Sequence, residues 1–161
     1  MKSLKAYIET SVFGFYFESG AHNLEKVGYT RKLFRQIQSG IIEAYISPLV
    51  VAEINETPGP FGSKLRNLIK NYSFHGVDID ITEVEWLGGE YVRNKIISAD
   101  YKDDAIHLAM AILSDVDVLV TWNCKHLANE FRIHQIAKLN KKLGVKTNLS
   151  IRTPEEVIFY E

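Results

Sequence analysis

Three acidic residues occupy equivalent places in separate strand-to-helix units of this sequence. Glu9 ends an apolar strand, Glu53 lies just past another, and Asp104 opens a helix. Asn123 follows the apolar run 118–120 in the same way. In an open parallel sheet, ligands bind beyond the carboxyl ends of the strands, where the strand order reverses. This topology brings the four side chains to one edge and predicts a carboxylate pocket.

Such a pocket predicts a particular chemistry. Two carboxylates about 4 Å apart repel by about 4 kcal/mol at an effective dielectric constant of about 20, so three of them need a compensating charge. A hard divalent cation, Mg²⁺ or Mn²⁺, provides it, polarises a phosphate and lowers the pKa of an attacking water. The reaction this implies is phosphodiester hydrolysis. Thr10 or Ser11, and Thr121, are expected to hydrogen-bond the carboxylates or a bound water.

Each candidate residue also has a structural interpretation. Glu53 alone suits a solvated helix face, and the helix dipole favours Asp104 in a first turn whatever its function. Glu9 is the sharpest of the three, because a charge directly after an apolar strand has no obvious packing role. His107 lies among apolar residues and is interpreted as a packed or hydrogen-bonded core histidine without a catalytic role. His126 suits a place in the pocket and a capping or surface role about equally.

The elements that must position these residues follow from alternating strand and helix patterns. Short apolar runs predict buried parallel strands at 4–8, 41–46, 77–81 and 118–122, with a fifth near 149–152. The patterns between them predict helices at about 10–17, 26–38, 48–55, 62–72, 82–97, 103–113 and 130–143. The fold class is α/β: an open, mostly parallel sheet of four to five strands with helices on both faces, in three α/β/α layers. Residues 1–161 are expected to form a single domain.

Helix starts are marked by N-cap residues followed by proline, by a glutamate three residues later, or by both. These signals are Ser47 with Pro48, Thr153 with Pro154 and Glu156, and Thr82 with Glu85. Each predicts a helix that begins just after its cap.

The composition excludes several classes of protein. Hydrophobic residues make up 46% and charged residues 24%, which is typical of globular chains rather than disordered ones. The net charge is -1, so overall charge does not draw the chain to nucleic acid or to a membrane. A polyanionic substrate would have to be held by local cations and by metal. The candidates are Lys102, Lys125, Arg31, Lys32 and Arg35.

The same counts indicate a compartment. A single cysteine, Cys124, cannot form an internal disulfide. Residues 1–5 lack the apolar run of a secretion signal, and no apolar stretch approaches the roughly 20 residues of a membrane span. We therefore expect a reducing cytoplasm and no membrane partner.

Four segments, in their order and spacing, carry a resemblance to a known family: YIETSV at 7–12, SPLVVAEI at 47–54, DAIHLA at 104–109 and DVLVTWN at 117–123. Nearly the whole chain resembles a PIN domain, and in detail the VapC-type toxin nucleases of toxin–antitoxin pairs. The resemblance implies a PIN-like fold and a Mg²⁺- or Mn²⁺-dependent endoribonuclease that acts on single-stranded RNA. It also implies a homodimer and a cognate antitoxin that covers the site. The metal-binding positions of the family fall on Glu9, Glu53 and Asp104.

Two positions depart from the pattern of the family. The first acidic position is usually Asp, and Glu9 has an extra methylene that moves the carboxylate outward by about 1.5 Å. The fourth is often Asp, and Asn123 is neutral, so the site should hold a second cation poorly. Asn123 is expected to position the water or the metal, and Thr10 and Thr121 are expected to support the acids. These departures favour one-metal chemistry or weak activity.

Two other functions stay open. The chain could be a non-catalytic RNA-binding or protein-interaction module with a metal site degraded at Glu9 and Asn123. An acid-pocket phosphotransfer domain fits the sheet, but the segment 9–11 lacks the paired aspartates that such chemistry needs. Aromatic residues at 13 and 15–17 suit base stacking, although core and dimer packing is their commoner use.

Overall fold

A five-stranded sheet in which all strands run parallel forms the centre of the molecule, seen in a computed structural model that describes residues 2–160. The strands are β1 (Leu4–Ile8), β2 (Ile42–Ile46), β3 (His75–Gly76), β4 (Val118–Val120) and β5 (Ser150–Arg152). Their order across the sheet is β3-β2-β1-β4-β5. The chain therefore runs outward from β1 to β3 and then returns to β4 on the other side of β1. The strand order reverses between β1 and β4, which is where a ligand site is expected.

Helices cover the sheet in the predicted three-layer α/β/α arrangement. They are α1 (Thr10–Phe15), α2 (Leu24–Gln38), α3 (Pro48–Glu56), α4 (Gly59–Asn71), α5 (Ile81–Arg93), α6 (Lys102–Leu113), α7 (Glu130–Leu143) and α8 (Pro154–Val157), with 3-10 turns at Ala21–Asn23 and Ala99–Tyr101. Among them, α5 packs on α6, α2 packs on α8 and on β2, and α3 packs on α4. The α/β fold class predicted from the sequence is confirmed.

Two of the three predicted helix caps are present. The hydroxyl of Ser47 accepts a hydrogen bond from the amide of Val50 at 3.2 Å, and Pro48 opens α3. Thr153 and Glu156 form the reciprocal capping box of α8. These caps satisfy amides that have no partner inside their own helix.

The region around the third strand differs from the prediction. The strand predicted at 77–81 is instead the two-residue β3, and beyond it only the amide of Val77 continues the pairing, to the carbonyl of Ile46 at 3.1 Å. Helix α5 begins within the predicted strand because Asp80 caps it, accepting from the amide of Thr82 at 2.9 Å. The predicted cap at Thr82 is therefore wrong. The helix also ends at Arg93 rather than at 97.

One continuous core joins the sheet to the helices, and its largest fully buried side chains include Tyr7, Phe13, Phe34 and Tyr91. Phe13 of the predicted aromatic cluster belongs to this core. Within residues 2–160, no helix has both the length and the apolar character needed to cross a bilayer.

Candidate active site

Glu9 lies at the carboxyl end of β1 and serves as the N-cap of α1. Its Oε2 atom accepts from the amide of Ser11 at 3.0 Å, and its Oε1 atom accepts from the hydroxyls of Ser11 and Thr121, both at 2.6 Å. The residue is 6% exposed. Glu9 thus has a structural role that was not obvious from the sequence, because this carboxylate caps a helix and ties the end of β1 to the end of β4. Its role in metal binding stays a prediction.

Glu53 reaches the same edge from α3. Its Oε1 atom accepts from the hydroxyl of Thr10 at 2.6 Å and pairs with Nε2 of His107, also at 2.6 Å. The side chain is 30% exposed, so part of it faces solvent. The hydrogen bonds predicted from Thr10 and Thr121 to the carboxylates are thus present, and their catalytic roles stay predictions.

A buried chain of hydrogen bonds lies behind Glu53. His107 is 1% exposed, and its Nδ1 atom lies 2.7 Å from the hydroxyl of Tyr7. That hydroxyl lies 2.7 Å from the hydroxyl of Ser47, the residue that caps α3. His107 is therefore the hydrogen-bonded core histidine that the sequence predicted. Tyr7 was not among the predicted site residues. The feature of the sequence that could have indicated it is a hydroxyl-bearing side chain inside the apolar run of β1.

The charged groups of the site shift the pKa values of Glu53 and His107. Burial raises the pKa of Glu53, but the hydrogen bond and charge of His107 and the hydrogen bond of Thr10 outweigh it, and the net pKa is lowered. Burial lowers the pKa of His107, but the bond to Glu53 and the charges of Glu9, Glu53 and Asp104 leave it raised. Burial also holds the pKa of Tyr7 well above its usual range. The negative charges of all three acids therefore favour the protonated form of one buried imidazole, and Glu53 alone of the three bonds it directly.

Asp104 reaches the site from the first turn of α6. Its Oδ2 atom lies 2.8 Å from Nδ1 of His126, and the two side chains are 18% and 16% exposed. Asn123 positions this histidine, because its Oδ1 atom accepts from the amide of His126 at 3.0 Å. The amide of Asn123 in turn donates to the hydroxyl of Thr121 at 2.9 Å. His126 is thus a member of the site, and the side chain of Asn123 caps the turn that holds it.

The donor atoms at this edge are of the type that Mg²⁺ and Mn²⁺ prefer. Within residues 2–160, however, no three acidic, histidine or cysteine side chains lie close enough together to hold a metal ion. Oε2 of Glu53 and Oδ1 of Asp104 accept no hydrogen bond from these residues. Both oxygens of Glu9 are already engaged. Glu53 and Asp104 thus each offer one uncommitted carboxylate oxygen, and metal binding by Glu9, Glu53 and Asp104 stays a prediction.

The predicted phosphate-binding cations differ in their contacts within the chain. Lys102, Lys125, Arg31 and Arg35 are exposed, and Lys32 is partly buried. Arg31 donates to the carbonyl of Tyr16 at 3.0 Å, and Lys32 lies over the ring of Tyr160, so both already have contacts within the chain.

Another cation was missed by sequence reasoning. The ammonium of Lys26 lies 5.2 Å from the ring centre of Phe15 and 5.3 Å from that of Trp122. Trp122 directly precedes Asn123, so this ammonium lies near the acid edge. A lysine in the first turn of α2 gives no sequence signal of such a placement.

A solved structure with the same fold is the crystal structure of VapBC2 from Rickettsia felis bound to a DNA fragment from their promoter. The match has a TM-score of 0.51 and 15% sequence identity, and covers 93% of this chain and 98% of that chain. No family model matches this chain, and no curated protein does. At this identity the likeness establishes the fold alone, which is a parallel five-stranded sheet in three α/β/α layers.

Proposed function

We propose that this chain is an endoribonuclease that hydrolyses phosphodiester bonds of single-stranded RNA with the help of Mg²⁺ or Mn²⁺. Its cellular role would be that of the toxin of a toxin–antitoxin pair, acting in the cytoplasm as a homodimer with a cognate antitoxin as protein partner. One observation carries the proposal. Glu9, Glu53 and Asp104 come from three different parts of the chain and are linked at the edge where the strand order reverses. Hydrogen bonds lead from Glu9 through Thr121, Asn123 and His126 to Asp104, and Thr10, the neighbour of Glu9, bonds Glu53.

The uncommitted carboxylate oxygens support a role for metal. Proteins commonly hold Mg²⁺ through one or two carboxylates, with waters and substrate phosphates as the other ligands. Glu53 and Asp104 are suited to this mode, and direct ligation by Glu9 stays a prediction. A bound divalent cation would polarise the scissile phosphate and lower the pKa of the attacking water.

The surrounding residues would hold the two acids in place. Thr10 and His107 both bond Oε1 of Glu53, and these two bonds fix the orientation of the carboxylate. The position of Oε2, the other oxygen, is therefore fixed as well. His126 fixes one oxygen of Asp104 in the same way. Such partners around metal ligands typically contribute about 10- to 100-fold to metal affinity or activity.

The role as a toxin is supported by the fold shared with VapBC2 over 93% of this chain. A protein partner that covers the acid edge would then control access of RNA to it. Co-purification with the product of a neighbouring gene, and inhibition of cleavage by that product, would test this part of the proposal.

The proposed activity is tested by cleavage of single-stranded RNA in Mg²⁺, in Mn²⁺ and in EDTA. We expect cleavage only with the metals, and a loss of at least about 100-fold in Asp104→Asn and in Glu53→Gln. Asp103→Asn is the matched control, because Asp103 is an exposed carboxylate of the same helical turn, and it should retain activity. Calorimetric titration of Mn²⁺ should show binding that the two site variants weaken. Full activity in Asp104→Asn would reject the assignment.

A second function is favoured by a different observation. Each of the three acids is hydrogen-bonded within the protein, and no three possible ligands in residues 2–160 lie close enough for a metal ion. A non-catalytic RNA-binding or protein-interaction module would have such a site. It predicts binding of RNA or a protein that EDTA does not change, with no cleavage under any of the three conditions.

A further inference from the structure

Tyr101 is an exposed aromatic residue at the rim of the acid site. It ends the 3-10 turn Ala99–Tyr101 and directly precedes α6, three positions before Asp104. The residue is 46% exposed, although its backbone is fixed by a hydrogen bond from its amide to the carbonyl of Ser98 at 2.9 Å. A large apolar ring thus faces solvent next to the acids.

The ring of Tyr101 is held by a member of the site. Its centre lies 4.1 Å from that of His126, with 41° between the ring planes. His126 is itself held by Asp104 through the 2.8 Å contact. The three side chains therefore form a continuous series from the acid site outward to the exposed ring of Tyr101.

We infer that Tyr101 is a stacking platform for a nucleobase of single-stranded nucleic acid. This inference rests on the proposal that the acid site acts on single-stranded RNA. A base stacked on the ring would place its own phosphates beside the site, one side chain away from Asp104. Stacking on an aromatic ring accepts any base, because every base has a π-face.

The charges around Tyr101 favour stacking over phosphate attraction as the source of binding. Two exposed acids, Asp100 and Asp103, share this turn with the exposed Lys102. The exposed Lys125 lies next to His126 in sequence, and with Asp104 these three acids and two lysines have a formal charge of -1. Such a rim gives no net attraction to a polyanion, so contact with the base must supply the affinity.

The inference predicts that the protein distinguishes a strand with bases from one without them. The probe is a fluorescent 2′-O-methyl oligoadenylate in EDTA, compared with an abasic oligomer of the same length. Neither can be cut through a 2′-hydroxyl or with a metal. Wild-type protein should bind the base-bearing strand roughly 5- to 150-fold more tightly, the range expected for stacking of one base. Tyr101→Ala should lose this preference.

Two control variants separate stacking from general damage. Tyr101→Phe keeps the ring and should keep the preference. Phe159→Ala removes an aromatic ring from a residue that is 48% exposed. The backbone amide of Phe159 donates to the side chain of Gln36, two residues before the end of α2, so this residue lies toward the opposite edge of the sheet. It should bind like wild type. Thermal unfolding of every variant establishes that the fold is retained.

The salt dependence of binding gives a readout that a merely structural role would not produce. Tyr101→Ala should lower the affinity without changing the slope of log K against log salt. Lys125→Ala should reduce that slope by about 1 if the lysine contacts a phosphate.

The outcomes are distinguishable from those of the proposed function. Loss of the base preference in Tyr101→Ala, with the slope retained, supports the platform even if the protein cleaves no RNA. Equal affinity of Tyr101→Ala and wild type for the base-bearing strand would overturn it. Failure of the wild-type protein to bind either strand would also overturn the inference. That result would indicate that the exposed ring of Tyr101 contacts a protein partner instead.

Discussion

The Nε2 atom of His107 lies 2.6 Å from the Oε1 atom of Glu53, and this contact joins the protein core to the acid site. His107 is 1% exposed, whereas the side chain of Glu53 is 30% exposed. A buried imidazole with a carboxylate partner is stabilised in its charged form, and the carboxylate in turn is stabilised as the anion. Any change to one of these groups should therefore appear in the titration of the other.

The pair makes stability depend on pH in a definite direction. The raised pKa of His107 contributes stability that is complete below its ordinary value of 6.5 and is lost as pH rises through the folded value. The lowered pKa of Glu53 contributes stability above its ordinary value of 4.5 that is lost as pH falls through the folded value. We therefore expect the pair to contribute most to the free energy of unfolding between pH 4.5 and pH 6.5. Urea unfolding in EDTA at a series of pH values measures this contribution.

Glu53→Gln tests this directly, because it removes the charged hydrogen-bond partner of His107 and one of the three charges that raise the pKa of this histidine, while keeping a side chain of similar size. The fall in stability above pH 6.5 should be weaker in the variant than in wild type. Identical pH profiles for the two proteins would show that the pair does not titrate as described.

Tyr7→Phe should destabilise the protein by about 1–3 kcal/mol. The change removes only the hydroxyl, which lies 2.7 Å from His107 on one side and 2.7 Å from Ser47 on the other. Both partners are buried, so each loses a hydrogen bond that water cannot replace. Urea unfolding at a pH between 4.5 and 6.5, where the charged pair is formed, gives the difference in free energy.

Tyr45→Phe is the matched control for that measurement. The hydroxyl of Tyr45 donates to Glu43 at 2.7 Å, but this pair is only partly buried and solvent can take the place of the lost donor. The expected loss is below about 1 kcal/mol. Equal losses in the two variants would mean that burial of the Tyr7 chain adds nothing to its strength.

The edge on which the acids lie could be predicted from the sequence because it depends on short-range patterns. An apolar run that ends at Glu9, and a Ser-Pro cap that starts the helix of Glu53, fix where each residue leaves the sheet or enters a helix. The parallel topology then gathers these positions. The prediction of the third strand was wrong because the alternating segment 77–81 resembles a strand. In the structure Asp80 caps a helix there, and only the two residues of β3, 75 and 76, pair fully with β2.

The partners of each acid could not be predicted from the sequence in the same way. Tyr7 and His107 are 100 positions apart, and whether their polar atoms meet depends on side-chain geometry in a packed core. The role of His126 stayed undecided for the same reason, because its contact with Asp104 depends on the turn that Asn123 caps. Periodicity tells which face of an element is buried but not which polar atoms on it come into contact.

Thr121→Val should destabilise the protein by about 1–3 kcal/mol. Thr121 is fully buried, and its hydroxyl donates to Glu9 at 2.6 Å and accepts from the amide of Asn123 at 2.9 Å. Valine nearly keeps the volume and removes both bonds. As a control, Thr147→Val removes an exposed hydroxyl that accepts from the amide of Leu149 at 3.1 Å, and it should cost less than about 1 kcal/mol. An unchanged free energy of unfolding in Thr121→Val would show that the link between β1 and β4 carries no stability.

Gly62→Ala should destabilise the protein through the junction of α3 and α4, near the helix that carries Glu53. A Cβ atom at position 62 would lie 1.9 Å from the carbonyl oxygen of Thr57, which is backbone and cannot turn aside. Overpacking of this kind costs about 1–3 kcal/mol, and this contact should fall at the upper end. Gly89→Ala is the opposite case. It lies in α5 with nothing within 4 Å of the added atom, so it should stabilise the protein by about 0.5–1 kcal/mol through the better helix propensity of alanine. Urea unfolding of both variants gives two shifts of opposite sign if α4 packs against the end of α3 as described, and a Gly62→Ala protein as stable as wild type would contradict that packing.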